Sequence, residues 1–138
     1  MRLAADNVHL APTMEIQSVR VEIVSLIHSM DAAHFPEPRP HAFAYHIRIR
    51  NDGEERVVLN ARKWVLRFAD GRHEVYEGDR IVGRIVDLDP GDTFEYSSYH
   101  VVDADCEVTG AYHGYSDSQE SIWVRIPKFQ LYIPENLP

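Results

Sequence analysis

Phe43-Ala44-Tyr45-His46-Ile47-Arg48-Ile49-Arg50 is the stretch on which the fold turns. Four large apolar residues, Phe43, Tyr45, Ile47 and Ile49, alternate with Ala44, His46, Arg48 and Arg50. Successive side chains of an extended chain point to opposite faces, so a period of two builds one apolar face and one polar face. A helix would instead need apolar residues three and four apart. The segment is therefore a half-buried strand with a defined inside and outside. The same alternation recurs on both sides of it. Val19, Val21 and Ile23 alternate with Arg20 and Glu22. Trp64, Leu66 and Phe68 alternate with Val65 and Arg67, and Ile122, Val124 and Ile126 alternate with Trp123 and Arg125. Helical periodicity is almost absent.

Turn chemistry separates these runs. Asn51-Asp52-Gly53 suits a tight turn, and Asp70-Gly71 is a two-residue hairpin signal. Asp89-Pro90-Gly91-Asp92 places Pro where φ is fixed and Gly where φ is positive. The apolar register changes between Leu59 and Trp64, which predicts a bulge or a break into two strands. Pro36, Pro38 and Pro40 exclude a helix or a central strand from 34–41 and predict an exposed extended loop. Seven to nine short strands with turn signals about every ten residues predict an all-β fold, an antiparallel sandwich or barrel. Residues 1–13 are expected to be a loose leader, 14–134 the domain, and 135–138 a surface tail.

Composition narrows the function classes. A chain of 138 residues makes one domain, able to bury roughly two-thirds of its unfolded surface. The single Cys106 excludes an intrachain disulfide framework and a cysteine-based zinc finger. No secretory apolar region opens the chain, and no run approaches the roughly twenty apolar residues of a membrane-spanning helix. A cytoplasmic protein is the expectation. Fourteen Lys and Arg against twenty-two Asp and Glu give a net charge of −8, which argues against nucleic acid as the main partner. The whole excess lies after residue 70. Between Arg84 and Arg125 there are nine acids and no Lys or Arg. Two surfaces of opposite charge are expected if the fold keeps these segments apart.

Four constellations could carry chemistry. The loop Gly78 to Gly83 lacks the following helix and the Lys-Ser/Thr pair of a phosphate-cradling loop. An anion there would be gripped by the side chains of Arg80 and Arg84, with Gly78 and Gly83 at tight bends. The plainer alternative is a strand connection. His46, Arg48 and Arg50 form an outward stripe of cations about 7 Å apart, suited to an acidic partner unless neighbouring strands pair with it. Trp123, alternating with the inward Ile122 and Val124, is expected to point outward and is a further candidate interface residue. Asp103 and Asp105 are candidates for weak divalent-cation binding. His100 and His113 could meet across neighbouring strands, but the eight histidines contain no pair at the spacing of a built metal site. Ser97, Ser98 and Cys106 lie in no nucleophile motif, so neither catalysis nor a cofactor is expected.

The order of these pieces resembles the ApaG domain family. Arg62-Lys63-Trp64-Val65-Leu66 looks like its R-x-W strand, and Asp70-Gly71 sits at its hairpin. Gly78 to Gly83 occupies its Gly-rich loop. Leu88 to Ser98 resembles its L-x-P-G-x-x-F-x-Y-x-S segment, and Gly110-Ala111-Tyr112 and Ile126 to Leu131 resemble its C-terminal signature. The resemblance covers about residues 14–134. It implies a fibronectin type III-like β-sandwich with no established enzymatic activity. It also implies a link to cobalt tolerance and magnesium efflux, and a pyrophosphate or nucleotide proposal for the Gly-rich loop. The chain departs from the pattern where Arg80 stands at the middle Gly, where Tyr99 replaces a Gly, and across Asp103 to Glu107. The first departure counts against phosphate binding through backbone N–H groups. The expectation is a non-catalytic binding module acting by protein–protein recognition. The alternative is a binder of pyrophosphate-like anions or divalent cations. An exposed edge strand could also pair with a second copy as a homodimer.

Overall fold

The structure, a computed structural model, describes residues 13–29, 41–118 and 120–134. The proline-rich loop, almost all of the expected leader and the expected tail lie outside the described residues. Nine strands follow in order: β1 Met14–Glu15, β2 Val19–Ser29, β3 His41–Asn51, β4 Val57–Phe68, β5 His73–Asp79, β6 Val86–Leu88, β7 Thr93–Val102, β8 Cys106–Ser116 and β9 Ser121–Leu131. They build an all-β sandwich. One sheet has the order β2-β3-β7. The other runs β1-β9-β8-β4-β5, with β6 pairing the start of β4 on the edge that β5 occupies further along. All pairs are antiparallel except β1 on β9, which is parallel. Two residues are too short a run to show a pattern, so the sequence carries no sign of that pairing.

The alternating residues land as their period requires. Phe43, Tyr45, Ile47 and Ile49 of β3 are buried, and so are Trp64, Leu66 and Phe68 of β4 and Ile122, Val124 and Ile126 of β9. Each such side chain contributes about 1.5–3 kcal/mol by leaving water. The register change in β4 is a bulge between Leu59 and Ala61, and the strand continues through it. Two further bulges, at Ile23/Ser25 and Val108/Gly110, interrupt alternations too weak to show them in sequence.

Two turns differ from expectation in instructive ways. The β4–β5 hairpin is not a two-residue loop. Gly71 alone takes a positive φ, 94°, and its N–H donates to Phe68 O at 3.0 Å. A two-residue I′ turn would need two positive φ values. Asp70 instead accepts from the Arg72 N–H and guanidinium, at 3.0 and 2.8 Å. The segment after Asn51 is a crossing between sheets. Asn51 is fully buried, and its side chain donates to Glu55 O and Leu88 O while accepting from Gly53 N–H. The Asp89–Asp92 turn is as expected, with Gly91 at φ 89° and the Asp92 N–H donating to Asp89 O.

The expected charge separation is overturned by the pairing. Arg56 grips Asp87 through two bonds of 2.8 Å and reaches Asp117 at 3.2 Å. Arg72 pairs with Asp103, Arg125 with Glu15, Lys128 with Glu107 and Arg48 with Glu95. The basic strands and the acidic stretch interleave, and the result is a solvated shell of mixed sign that keeps its acidic excess.

Candidate binding cleft

β5 ends one sheet and β7 ends the other, and between these edges the sandwich opens. A cleft of about 490 Å³ lies there. β3 supplies Tyr45 to it, β4 supplies Arg62 and Trp64, and β7 supplies Tyr99 and His100. Residues Ile81 to Gly83, from the loop after β5, close one wall. Tyr45, Trp64 and His100 are buried and form the floor, while Tyr76 and Tyr99 stand at the rim, 43 % and 60 % exposed. Flat rings thus meet any occupant on several sides.

His100 is the chemical centre of the floor. It is 8 % exposed, and its Nε2 has no hydrogen-bond partner among the described residues. Its ring lies 5.0 Å from Tyr45 and 5.0 Å from Trp64, edge to face with the latter, and 6.4 Å from Tyr76. Burial lowers its pKa to about 4, so the imidazole is neutral at neutral pH. Arg62 brings the cation. Its Nη1 donates to Asp79 O at 2.8 Å and Arg80 O at 3.0 Å, which ties the Gly-rich loop to β4. The ion pairs among the described residues take up Arg48, Arg50, Arg56, Arg72 and Arg125, and none takes up Arg62.

The residues singled out in sequence are placed as follows. Arg80 has a φ of 71°, so the position where a Gly is expected does demand the left-handed region. Its N–H donates to Asn60 O at 2.6 Å and the Ile81 N–H donates to Arg84 O at 2.9 Å. Two of the amides a phosphate loop would offer, those of Arg80 and Ile81, are thus bonded within the protein. Gly83, at φ 77°, lines the cleft. Gly78 sits under Arg62, where a Cβ would come within 3.3 Å of Nη1. The Arg80 side chain is exposed and does not line the cleft, and that of Arg84 lies over the Phe94 ring at 5.4 Å.

The outward stripe on β3 is crossed by acids from both neighbours. His46 bonds Glu95 and Ser97, each at 2.7 Å. Arg48 bonds Glu95 at 3.0 Å and Glu22 at 3.4 Å, and Arg50 bonds Asp52. Trp123 faces outward, with the Arg125 guanidinium 5.1 Å over its ring. Asp103 and Asp105 sit in the connection from β7 to β8, not on a strand. Asp103 takes the Arg72 fork, and Asp105 accepts from the Ile133 N–H at 2.7 Å. Among the described residues no three His, Cys, Asp or Glu converge on a metal position. His100 and His113 stand in different sheets, His100 in β7 and His113 in β8. The inward alternation Phe94, Tyr96, Ser98, His100, Val102 was the available signal for His100. Nothing in the sequence showed that two sheet edges would gape beside it.

Comparison with known proteins agrees with this architecture. The family model described as ApaG domain matches residues 31–115. Protein ApaG of Rhodospirillum centenum is 39 % identical over 100 residues, covering 72 % of this chain and 77 % of the relative. Protein ApaG of Vibrio vulnificus is 31 % identical over 125 residues, covering 90 % of this chain and 99 % of the relative. The crystal structure of a Bordetella pertussis protein described as ApaA superposes with a TM-score of 0.71 at 25 % identity, over 91 % of this chain and all of that one.

Proposed function

The chain belongs to the ApaG domain family, and on that premise we propose that it is a non-catalytic module for protein–protein recognition, with the cleft between β5 and β7 as its contact surface. The observation that carries this is the cleft itself. It is concave, floored by Tyr45, Trp64 and His100, and flanked by two strands that each end a sheet. An extended segment of a partner can add to such an edge through backbone hydrogen bonds while one side chain enters the cavity. The exposed Tyr76 and Tyr99 at the rim are the residue type that anchors interfaces. The stripe of His46, Arg48 and Arg50 is the weaker candidate surface, because its cations already face Glu22, Glu95 and Asp52.

The non-catalytic reading has its own support. Cys106 is buried and its thiol is pushed up to about 11, which keeps it protonated and unreactive. The anion reading of Gly78, Arg80, Gly83 and Arg84 rests on its side-chain route, since the Arg80 and Ile81 amides are bonded internally and no helix follows the loop. A small ligand in the cleft is the second reading, favoured by the unpartnered His100 Nε2. A role in divalent-cation homeostasis would then run through a cytoplasmic partner and not through a metal held by Asp103 and Asp105.

Affinity capture with matched variants tests the surface. Tyr99→Asp, folded by circular dichroism, should lose its partners at least tenfold, while the double variant Arg48→Glu, Arg50→Glu should retain them. The opposite pattern would overturn the assignment.

A further inference from the structure

We propose that the cleft seats a tyrosine side chain flanked by a carboxylate, presented by the segment that docks along β7. This rests on the recognition reading above and names what is recognised. Three observations carry it. Aromatic rings face the cleft from two levels, Tyr45 and Trp64 on the floor and Tyr76 and Tyr99 at the rim, with Ile81 and Val82 closing one wall, a lining into which a flat ring stacks. The floor contains a polar atom, Nε2 of His100, a residue more than nine-tenths buried, and that atom has no hydrogen-bond partner among the described residues. A buried polar atom without a hydrogen bond is destabilising, and a ligand that supplies the bond recovers that loss. A phenol hydroxyl both donates and accepts, so it satisfies either tautomer of the imidazole. Arg62, the third element, lines the same cleft with a guanidinium that bonds two backbone carbonyls and no carboxylate among the described residues. Arg67, Arg80 and Arg84 are likewise in no ion pair among the described residues, but of these four arginines only Arg62 lines the cleft, so its guanidinium is the group placed to meet an incoming acid there.

The alternatives each leave something unmet. A leucine would cover the rings and strand Nε2. A phosphate would pair with Arg62 and gain nothing from the aromatic floor. A phenylalanine would stack and again leave Nε2 without a bond. Because Nε2 is screened from water, entry requires the half-exposed Tyr76, whose ring stacks over His100, to tilt outward.

Titration of the full chain with four small probes tests this, followed by the side-chain nitrogen resonances of ¹⁵N-labelled histidine. N-acetyl-L-tyrosine should shift the His100 signals and bind at least fivefold more tightly than N-acetyl-L-tyrosinamide, N-acetyl-L-phenylalanine or N-acetyl-L-leucine. The three comparators remove in turn the charge, the hydroxyl and the ring. His100→Phe should abolish the preference for tyrosine over phenylalanine, and Arg62→Gln the preference for the acid over its amide. Should Arg62→Gln fail to fold, the wild-type probe series still decides. Equal binding of the tyrosine and leucine probes, or no His100 shift with any probe, would overturn the proposal. If the probes fail while Tyr99→Asp still loses its partners, the seat is wrong and the recognition surface stands. If the probes bind as stated while Tyr99→Asp keeps every partner, the seat is right and the recognition reading falls.

Discussion

Asn51 holds three backbone groups from a fully buried position, donating to the carbonyls of Glu55 and of Leu88 at the end of β6 and accepting from the Gly53 N–H. Removing the amide takes a hydrogen bond from each of them, and from the Leu88 carbonyl in a buried position. Asn51→Ala should therefore cost about 2–4 kcal/mol, read from the urea midpoint. Asn51→Asp should cost at least as much, because a carboxylate donates to neither carbonyl. Arg80 is a different kind of constraint. A left-handed φ costs a residue with a Cβ about 1–2 kcal/mol, and a β-branched residue suffers most there. Arg80→Val should lose about 1–2 kcal/mol by the same measurement, while Arg80→Gly should lose nothing. If Arg80→Gly were the less stable of the two, the guanidinium would be holding the loop through a contact the backbone account lacks.

Among the elements, β8 is the most constrained, because it pairs with β4 on one side and β9 on the other and both neighbours carry a bulge. Gly114 sits opposite the β4 bulge. A Cβ there would fall 1.8 Å from Val58 O, a backbone atom that cannot turn aside. Gly114→Ala should cost about 3 kcal/mol or more, or prevent folding, whereas Gly71→Ala meets no atom within 4 Å and bears only the cost of its φ. Gly110 is intermediate, since its added methyl would press on the Trp64 ring at 2.7 Å and on Ile126 at 3.0 Å, which are side chains and not backbone. These elements also show what a sequence makes legible. The strand at Phe43–Arg50 was readable because burying one face forces a period of two. The bulge near Leu59 was readable because the period breaks there. The β1–β9 pairing and the cleft were not. The first is two residues long, and the second depends on how far two non-adjacent strands stand apart, which no local period encodes. For the same reason His100 was visible as an inward residue but not as the floor of a cavity.

The charges of the whole molecule act through pairing, and so does its response to acid. Arg56 joins β6 to the β8–β9 turn, Arg72 joins the β4–β5 hairpin to the β7–β8 connection, and Arg48 links all three strands of the smaller sheet. These pairs are exposed and each contributes little at neutral pH. They nevertheless hold carboxyl pKa values down. Asp70 is lowered by the Arg72 backbone and side chain, Asp87 by Arg56, and Glu95 by His46 and then Arg48. A lowered carboxyl stabilises the fold above its unfolded pKa of about 4, and that part is lost only as pH falls further. His100 acts earlier. The unfolded chain binds its proton near pH 6.5, while the folded chain resists until about 4 because the ring is buried. Stability should therefore fall between pH 6.5 and 4 by roughly 3 kcal/mol from this residue, then stop falling on its account. His41, lowered by burial and by His28, adds to the same window. Urea unfolding across pH 7 to 3 should thus show two phases. In His100→Phe most of the first phase should disappear while the loss below pH 4 remains. A variant that kept the full slope between pH 6.5 and 4 would place that proton on another group and show that His100 titrates alike in the folded and unfolded chains.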